Sequence, residues 1–333
     1  MSKNGSKIGF WIAIVILVVL LGGSFLMNLG LLSLVSMGSG GRTVVSTQPV
    51  DEFPQFKETW SYGKKGQKKV VRISLQGPIM RGRKKTLFSS EPDMVESVLK
   101  QIIAATNDSE VQGILLEVNS PGGAVTPSDE IYTMLKRFKE RSDRRVVIFI
   151  RDLGASGAYY IAMAGDYIVA EPTAIVGSVG VIMQSMNMKG LGDKLGVRTV
   201  TIASGKNKDI LNPLKEVNPE HIALLQALID EMQDRFASIV MKARGFKNRD
   251  LLDGRVFTAP KAKEHHFIDQ VGYWRDSVNV LEKMLGVEEV YMIRYERRKG
   301  SFFEEVFSAK GPQVPNLNIL HSSSPSFLYQ WNP

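Results

Sequence analysis

From Lys68 onward the chain alternates short apolar runs with longer amphipathic stretches. Val70 to Leu75 is a compact, mostly apolar run and predicts a strand. Val95, Val98, Leu99, Ile102 and Ile103 recur at helical spacing and predict a helix over 93–105. The run GILLEV at 113–118 predicts a second strand. Ile131, Met134, Leu135 and Phe138 form one apolar face of a helix over 127–139. Residues 146–150 are continuously apolar and predict a buried strand, followed by a short helix of small residues over 156–164. Two more strands are predicted at 167–170 and 198–202, and a longer helix over 219–243. Strands alternating with helices imply parallel β-α units whose sheet is buried on both faces. No repeat of 20 to 50 residues is visible.

The N-terminus follows a different pattern. Residues 8–41 carry no charge, and the stretch from Ile8 to Leu21 is almost purely apolar. A membrane-spanning helix needs about 20 such residues, because in lipid the backbone must satisfy itself. Lys3 and Lys7 precede the stretch, so the positive-inside rule places the N-terminus in the cytoplasm and the body outside it. A cleaved signal peptide would share the positive start and the small residues Gly22, Gly23 and Ser24. The apolar residues continue through Phe25, Leu26, Leu29 and Leu31 to Val35, which favours an uncleaved anchor. The expected organisation is a cytoplasmic tip and transmembrane anchor over 1–36, a linker over 37–67, one catalytic domain over 68–300 and a loose tail over 301–333. That tail is rich in Pro, Ser and Asn.

Composition narrows the chemistry. The 333 residues are 44% hydrophobic, enough for a sizeable core. The net charge is +8, yet Lys and Arg are scattered, and the densest block is only Arg81 to Lys85. With no RNA-binding aromatic signature, nucleic acid is not an expected partner. No cysteine is present, which excludes disulfides, thiolate metal sites and a cysteine nucleophile. No zinc spacing occurs, and neither a metal nor a cofactor is expected.

Three short segments carry candidate chemistry. Asn119-Ser120-Pro121-Gly122-Gly123 lies between a predicted strand and helix. Its glycines free backbone amides to face a ligand, and the following helix adds a positive dipole end, as an oxyanion hole requires. An ordinary tight turn uses the same residues. Leu153-Gly154-Ala155-Ser156-Gly157-Ala158 sets a serine at a strand-to-helix junction among residues without bulk. A nucleophile needs that access; an N-cap serine would look alike. Of the histidines, His221, His265, His266 and His321 all lie well C-terminal to Ser156, and none has a neighbourhood suggesting a triad. Ala203-Ser204-Gly205-Lys206-Asn207-Lys208-Asp209 offers lysine instead, which replaces histidine as base in Ser/Lys proteases. A lysine in such a polar loop is ordinarily a solvated surface residue, and a lysine base must first lose a proton from a group with free pKa about 10.4.

Together, SPGG at 120–123, GASGAYY at 154–160, VGSVGV at 176–181 and GKNKD at 205–209 resemble the S49-type signal peptide peptidases, in the short form with one catalytic domain per chain. The resemblance runs from about Val70 to Gly272 and includes FTAPKAKEHHFID at 257–269. It implies an α/β fold of the ClpP/crotonase type, a spiral of β-α units, here preceded by one N-terminal transmembrane helix. It implies Ser156 as nucleophile and Lys208 as general base, oxyanion amides from Gly123 and Gly157, and Ser178 orienting the lysine. It further implies a ring-shaped homo-oligomer whose sites combine serine and lysine of neighbouring protomers. The substrates would be signal peptides or other apolar peptides, cut outside the cytoplasm at the inner or cell membrane (in the periplasm of a Gram-negative cell). Two departures stand out: His265-His266 replaces a small-to-Gly-Leu sequence before Asp269, and Asn212 precedes Pro213 where serine is commoner.

Rival functions remain at this level. A crotonase-like enzyme acting on acyl-thioesters shares the fold and the amide hole but needs no Ser/Lys pair. A non-catalytic membrane scaffold would keep the ring alone, and a related S49-type protease would cut one specific membrane partner.

Overall fold

The computed structural model describes residues 17, 20–24, 51–82, 93–140, 143–297 and 328–330. The chain divides into two units, Met1–Pro49 and Val50–Pro333. In the first, residues 20–24 are helical, and the anchor expected over 1–36 otherwise lies outside the described residues. Among the described residues no helix is long and apolar enough to cross a membrane.

The second unit holds β1 (Phe56–Gly63), β2 (Lys69–Gln76), α1 (Met94–Asn107), β3 (Val111–Ser120), β4 (Gly122–Ala124) and α2 (Val125–Glu140). These are followed by β5 (Arg145–Ala155), α3 (Gly157–Ala162), β6 (Tyr167–Ala170), β7 (Ile175–Gly177), α4 (Lys189–Leu195) and α5 (Pro219–Arg244). Last come β8 (Val256–Thr258), α6 (Ala259–Glu264), β9 (Gln270–Val271), α7 (Trp274–Leu285), β10 (Tyr291–Arg297) and β11 (Leu328–Gln330).

The main sheet runs β1-β10-β2-β3-β5-β6-β9, with β2, β3, β5 and β6 parallel as the alternation predicted. Side chains alternate between its two faces. Val71, Ile73, Ile114, Leu116, Val146 and Ile148 join the larger core with α1 and α2. Val70, Leu115, Val147 and Phe149 join a smaller core against Val278, Leu281 and Leu285 of α7. Both faces are therefore dry, which accounts for the continuous apolar runs of the central strands.

Three expectations differ from what the backbone does. Phe56–Gly63, inside the expected linker, is a strand paired antiparallel with β10. Residues 198–202, expected as a strand, have no ladder partner among the described residues and run irregularly. Leu328–Gln330, within the expected loose tail, pairs antiparallel with β4.

Candidate active site

Two adjacent parallel strands end side by side, Ser120 of β3 opposite Gly154 of β5. The segments that follow them are therefore brought together: β4 after β3, and Ser156 with α3 after β5. The end of β5 also pairs with β7, Ala155 opposite Gly177, which delivers Ser178 to the same place. Three motifs far apart in sequence meet because parallel strands put their C-terminal ends at one edge, where ligand sites of such sheets form.

Ser156 is the N-cap of α3, with φ 54° and ψ −118°. Such a conformation is strained for a residue with a side chain. It is held from both sides: the Ser156 amide donates to the Gly177 carbonyl at 2.8 Å, and its carbonyl accepts from the Tyr160 amide at 2.8 Å. The side chain makes no capping bond. Its Oγ is buried and has no hydrogen-bond partner among the described residues. A buried unsatisfied hydroxyl costs about 1–3 kcal/mol. An N-cap serine would have spent that oxygen on its own helix, so the capping alternative does not describe this residue.

Gly123 stands on β4, and a Cβ there would sit 2.2 Å from the Ile79 carbonyl oxygen. Only glycine fits. The Ile79 amide donates to the Gly122 carbonyl, and the Ala124 amide donates to the Ile79 carbonyl, both at 2.8 Å. The Ser120 hydroxyl, fully buried, accepts from the Gly122 amide at 3.1 Å and braces the turn. Helix α3 packs on β4, with Gly157 as its first residue. Ser178 is buried with φ 53°, and its amide donates to the Arg255 carbonyl at 2.7 Å. Ser156, Gly123, Gly157 and Ser178 thus converge on one edge.

Lys208 is not bonded to them. It lies exposed on a turn, its amide donating to the Gly205 carbonyl at 3.0 Å. Asp209 beside it bonds Lys215 and, at 2.9 Å, Asn212. Those bonds, Lys215 first, hold its carboxyl below the usual carboxylate range. Asp209 therefore braces the loop, and Asn212 takes part in that brace. Lys206 and Asp209 also line a cavity of about 760 Å³ with Met186, Leu211, His221 and Ile222. None of His221, His265 and His266 hydrogen-bonds Ser156; His321 lies outside the described residues. Among the described residues no cluster fit to hold a metal ion occurs.

One group was not foreseen. Arg235 of α5 donates to Asp129 of α2 at 2.6 Å and to the Tyr160 hydroxyl at 3.1 Å, while that hydroxyl bonds Asp129. This network ties the serine's helix to the helix after the glycine strand and to α5. A lone arginine on an amphipathic helix carries no signal for it in sequence.

The model of peptidase family S49 matches residues 139–288, and that of the Clp protease family matches residues 81–186. A protein of Enterococcus faecium provisionally named signal peptide peptidase SppA is 34% identical over 238 residues, 71% of this chain and 69% of its own. A provisionally named protease of Synechocystis sp. is 34% identical over 232 residues, 69% of this chain and 79% of its own. A chloroplastic serine protease of Arabidopsis thaliana, SPPA, is 28% identical over 266 residues, 77% of this chain and 38% of its own.

Proposed function

The chain belongs to peptidase family S49, and on that premise we propose that it is a membrane-anchored endopeptidase that degrades cleaved signal peptides and similar apolar peptides. The family and the ClpP-like α/β fold make it a serine peptidase. In the finer reading, Ser156 Oγ attacks the scissile carbonyl and Lys208 of a neighbouring protomer takes the proton. The amides of Gly123 and Gly157 stabilise the developing oxyanion, and Ser178 orients the lysine. The observation that carries this reading is the buried Ser156 hydroxyl, held in a strained conformation beside a glycine strand and bonded to nothing among the described residues.

Assembly supports the same reading. A lysine acts as a base only once it is desolvated. Lys208 is exposed on the lone chain, and in this reading a neighbouring protomer covers it. The surrounding segment is unusually apolar for a surface: Val200 is 89% and Ile202 97% exposed, with Met186 and Leu195 nearby in sequence. Exposed β-branched residues with no ladder partner among the described residues suit docking against a second copy, because apolar patches of this kind mark interfaces. The uncharged stretch over 8–41 after Lys3 and Lys7 supports an extracytoplasmic body on a cytoplasmic-in anchor.

The test is digestion of synthetic signal peptides by the purified full chain in detergent. Wild type should cleave them, and Ser156→Ala should lose at least about a thousandfold in kcat. Lys208→Ala should be inactive at every pH, whereas Lys206→Ala should retain activity. Normal turnover by Ser156→Ala sinks the nucleophile, and a dead Lys206→Ala with an active Lys208→Ala moves the base.

A further inference from the structure

Helix α3, which begins directly after Ser156, is only six residues long. A helix of that length is marginal by itself, so its place is fixed by what its side chains hold. Two consecutive tyrosines hold it. The Tyr159 hydroxyl, fully buried, donates to the Phe267 carbonyl at 2.7 Å. Tyr160, also fully buried, packs its ring against Tyr132 and Phe236, with centroids 5.3 and 5.1 Å away, and bonds Asp129 through its hydroxyl. One carboxylate oxygen, Asp129 Oδ1, accepts that bond together with two from Arg235, at 3.2 Å from Nε and 2.6 Å from Nη2. Arg235 Nε also donates to the Tyr160 hydroxyl at 3.1 Å, which closes the triangle.

Each member of the triangle leads on to one part of the proposed site. The amide of Tyr160 donates to the Ser156 carbonyl at 2.8 Å, one of the bonds that hold the serine in its strained conformation. Asp129 follows Ser128, whose hydroxyl donates to the Ala124 carbonyl at 2.9 Å, and Ala124 follows Gly123. Arg235 stands on α5, into which the loop carrying Lys208 leads. Stability is a poor reason for the cluster. The Asp129 and Arg235 side chains are 33% and 56% exposed, and solvent screens such a pair. A phenylalanine at 160 would keep the ring packing and need no polar partner. What the polar cluster adds is direction: a hydroxyl on α3 bonded to a carboxylate on α2 fixes how far apart the two helices stand. That separation carries Ser156 on one side and Gly123 on the other. A displacement of about 1 Å can cost about a hundredfold in rate.

We infer that Tyr160, Asp129 and Arg235 are positioning residues for the peptidase reaction, setting the distance between the Ser156 hydroxyl and the oxyanion amides; the inference rests on Ser156 being the nucleophile. None of the three is placed on the reacting atoms. Tyr160 fixes where α3 starts and so where the serine sits. Asp129 refers that position to α2 and the glycine strand. Arg235 holds the carboxylate and the hydroxyl in one geometry, and ties both to α5.

The experiment is steady-state hydrolysis of a synthetic signal peptide by the purified full chain in detergent, with thermal denaturation and light scattering on the same samples. Tyr160→Phe and Asp129→Ala should each lower kcat by about 10- to 100-fold. KM should stay within about twofold, because the lost term acts on the transition state. Tm should move by no more than about 3 °C, and the assembly should be unchanged. Asp129→Asn, which keeps an acceptor without the charge, should fall between Asp129→Ala and wild type, and Arg235→Lys between Arg235→Ala and wild type. Tyr160→Phe with Asp129→Ala should lose no more than the worse single variant, because the parts act as a unit. Unchanged kcat in both single variants, with Ser156→Ala inactive, overturns the positioning role and leaves the nucleophile standing. Normal turnover by Ser156→Ala overturns both. A raised KM at unchanged kcat makes the cluster a substrate-binding group, and a kcat loss that tracks a collapse in Tm makes it a support of the fold. Loss of assembly in Arg235→Ala puts that residue in an interface. Each of these three results overturns the inference.

Discussion

Backbone strain occurs both at Ser156, the proposed nucleophile, and at His266, outside the proposed site. Ser156 and His266 have nearly the same φ, 54° and 62°. Residues with side chains in such regions cost about 1–3 kcal/mol each. At Ser156 the geometry throws a hydroxyl clear of its own helix, and glycine would relieve the strain only by deleting the proposed nucleophilic atom. Ser156→Gly should therefore be inactive yet more stable than Ser156→Ala by about 1 kcal/mol, a rise of roughly 2–4 °C in Tm for a domain of this size. Equal melting of the two variants would show that the conformation is not strained. His266 is exposed, and its carbonyl accepts from Arg244 Nε at 2.7 Å, a bond that any residue can make. It stands in the stretch before Asp269 that the family ordinarily fills with a small residue and glycine, and its positive φ accounts for the glycine. His266→Gly should stabilise by a similar amount with unchanged kcat; a loss of stability on thermal denaturation would give the imidazole a role of its own.

At the scale of elements, local chemistry is most readable where it acts through the backbone. Asp93 caps α1, its carboxylate accepting from the Glu96 amide at 3.0 Å and the Gly82 amide at 2.6 Å. Burial pushes this carboxyl up, but the bonds from Glu96 and Gly82 outweigh it and hold it below the ordinary 3.8. A depressed carboxyl stabilises the fold above its unfolded pKa and loses that contribution as pH falls through the folded one. Asp93→Ala should cost about 1 kcal/mol at pH 7. The gap between variant and wild type should close below about pH 4, measured by urea unfolding across pH. A gap that persists in acid would tie the loss to packing instead of charge. The central strands and α1, α2 and α5 were legible because burial on two faces or one leaves continuous or periodic apolar runs. β1 was not: FKETWSYG is half exposed on the outer edge and looks like linker. The 198–202 run was legible as β-prone but not as lacking a partner among the described residues, since pairing depends on where the fold places other strands. In the site, Ser156 and the glycines were visible through their small neighbours. Arg235, Asp129 and Tyr160 were not, because their meeting depends on how three helices cross.

For the whole molecule, the decisive feature is that Lys208, the proposed base, is exposed and makes no hydrogen bond to Ser156, the proposed nucleophile. Ser156 Oγ lies buried with no partner among the described residues, and Lys208 sits on an exposed turn a few residues after solvent-facing Val200 and Ile202. A single copy would therefore hold half of each site, and activity would depend on protomer concentration. Completion in trans makes a definite prediction. Ser156→Ala and Lys208→Ala chains should each be inactive alone, because every site would lack one group. Mixed rings also contain junctions where an intact serine from one variant meets an intact lysine from the other. Random mixing of equal amounts gives about a quarter of junctions that arrangement, so activity should recover to roughly one quarter of wild type if sites act independently. Substituting Ile202→Asp, which sets a charge into the apolar band, should weaken assembly and lower activity together, and raising the concentration should restore both. The readouts are peptide turnover and light scattering on the same samples. Mixed rings, proven by mass, that recover no activity would place serine and lysine of a site in one chain and require the 197–218 segment to fold back on its own Ser156.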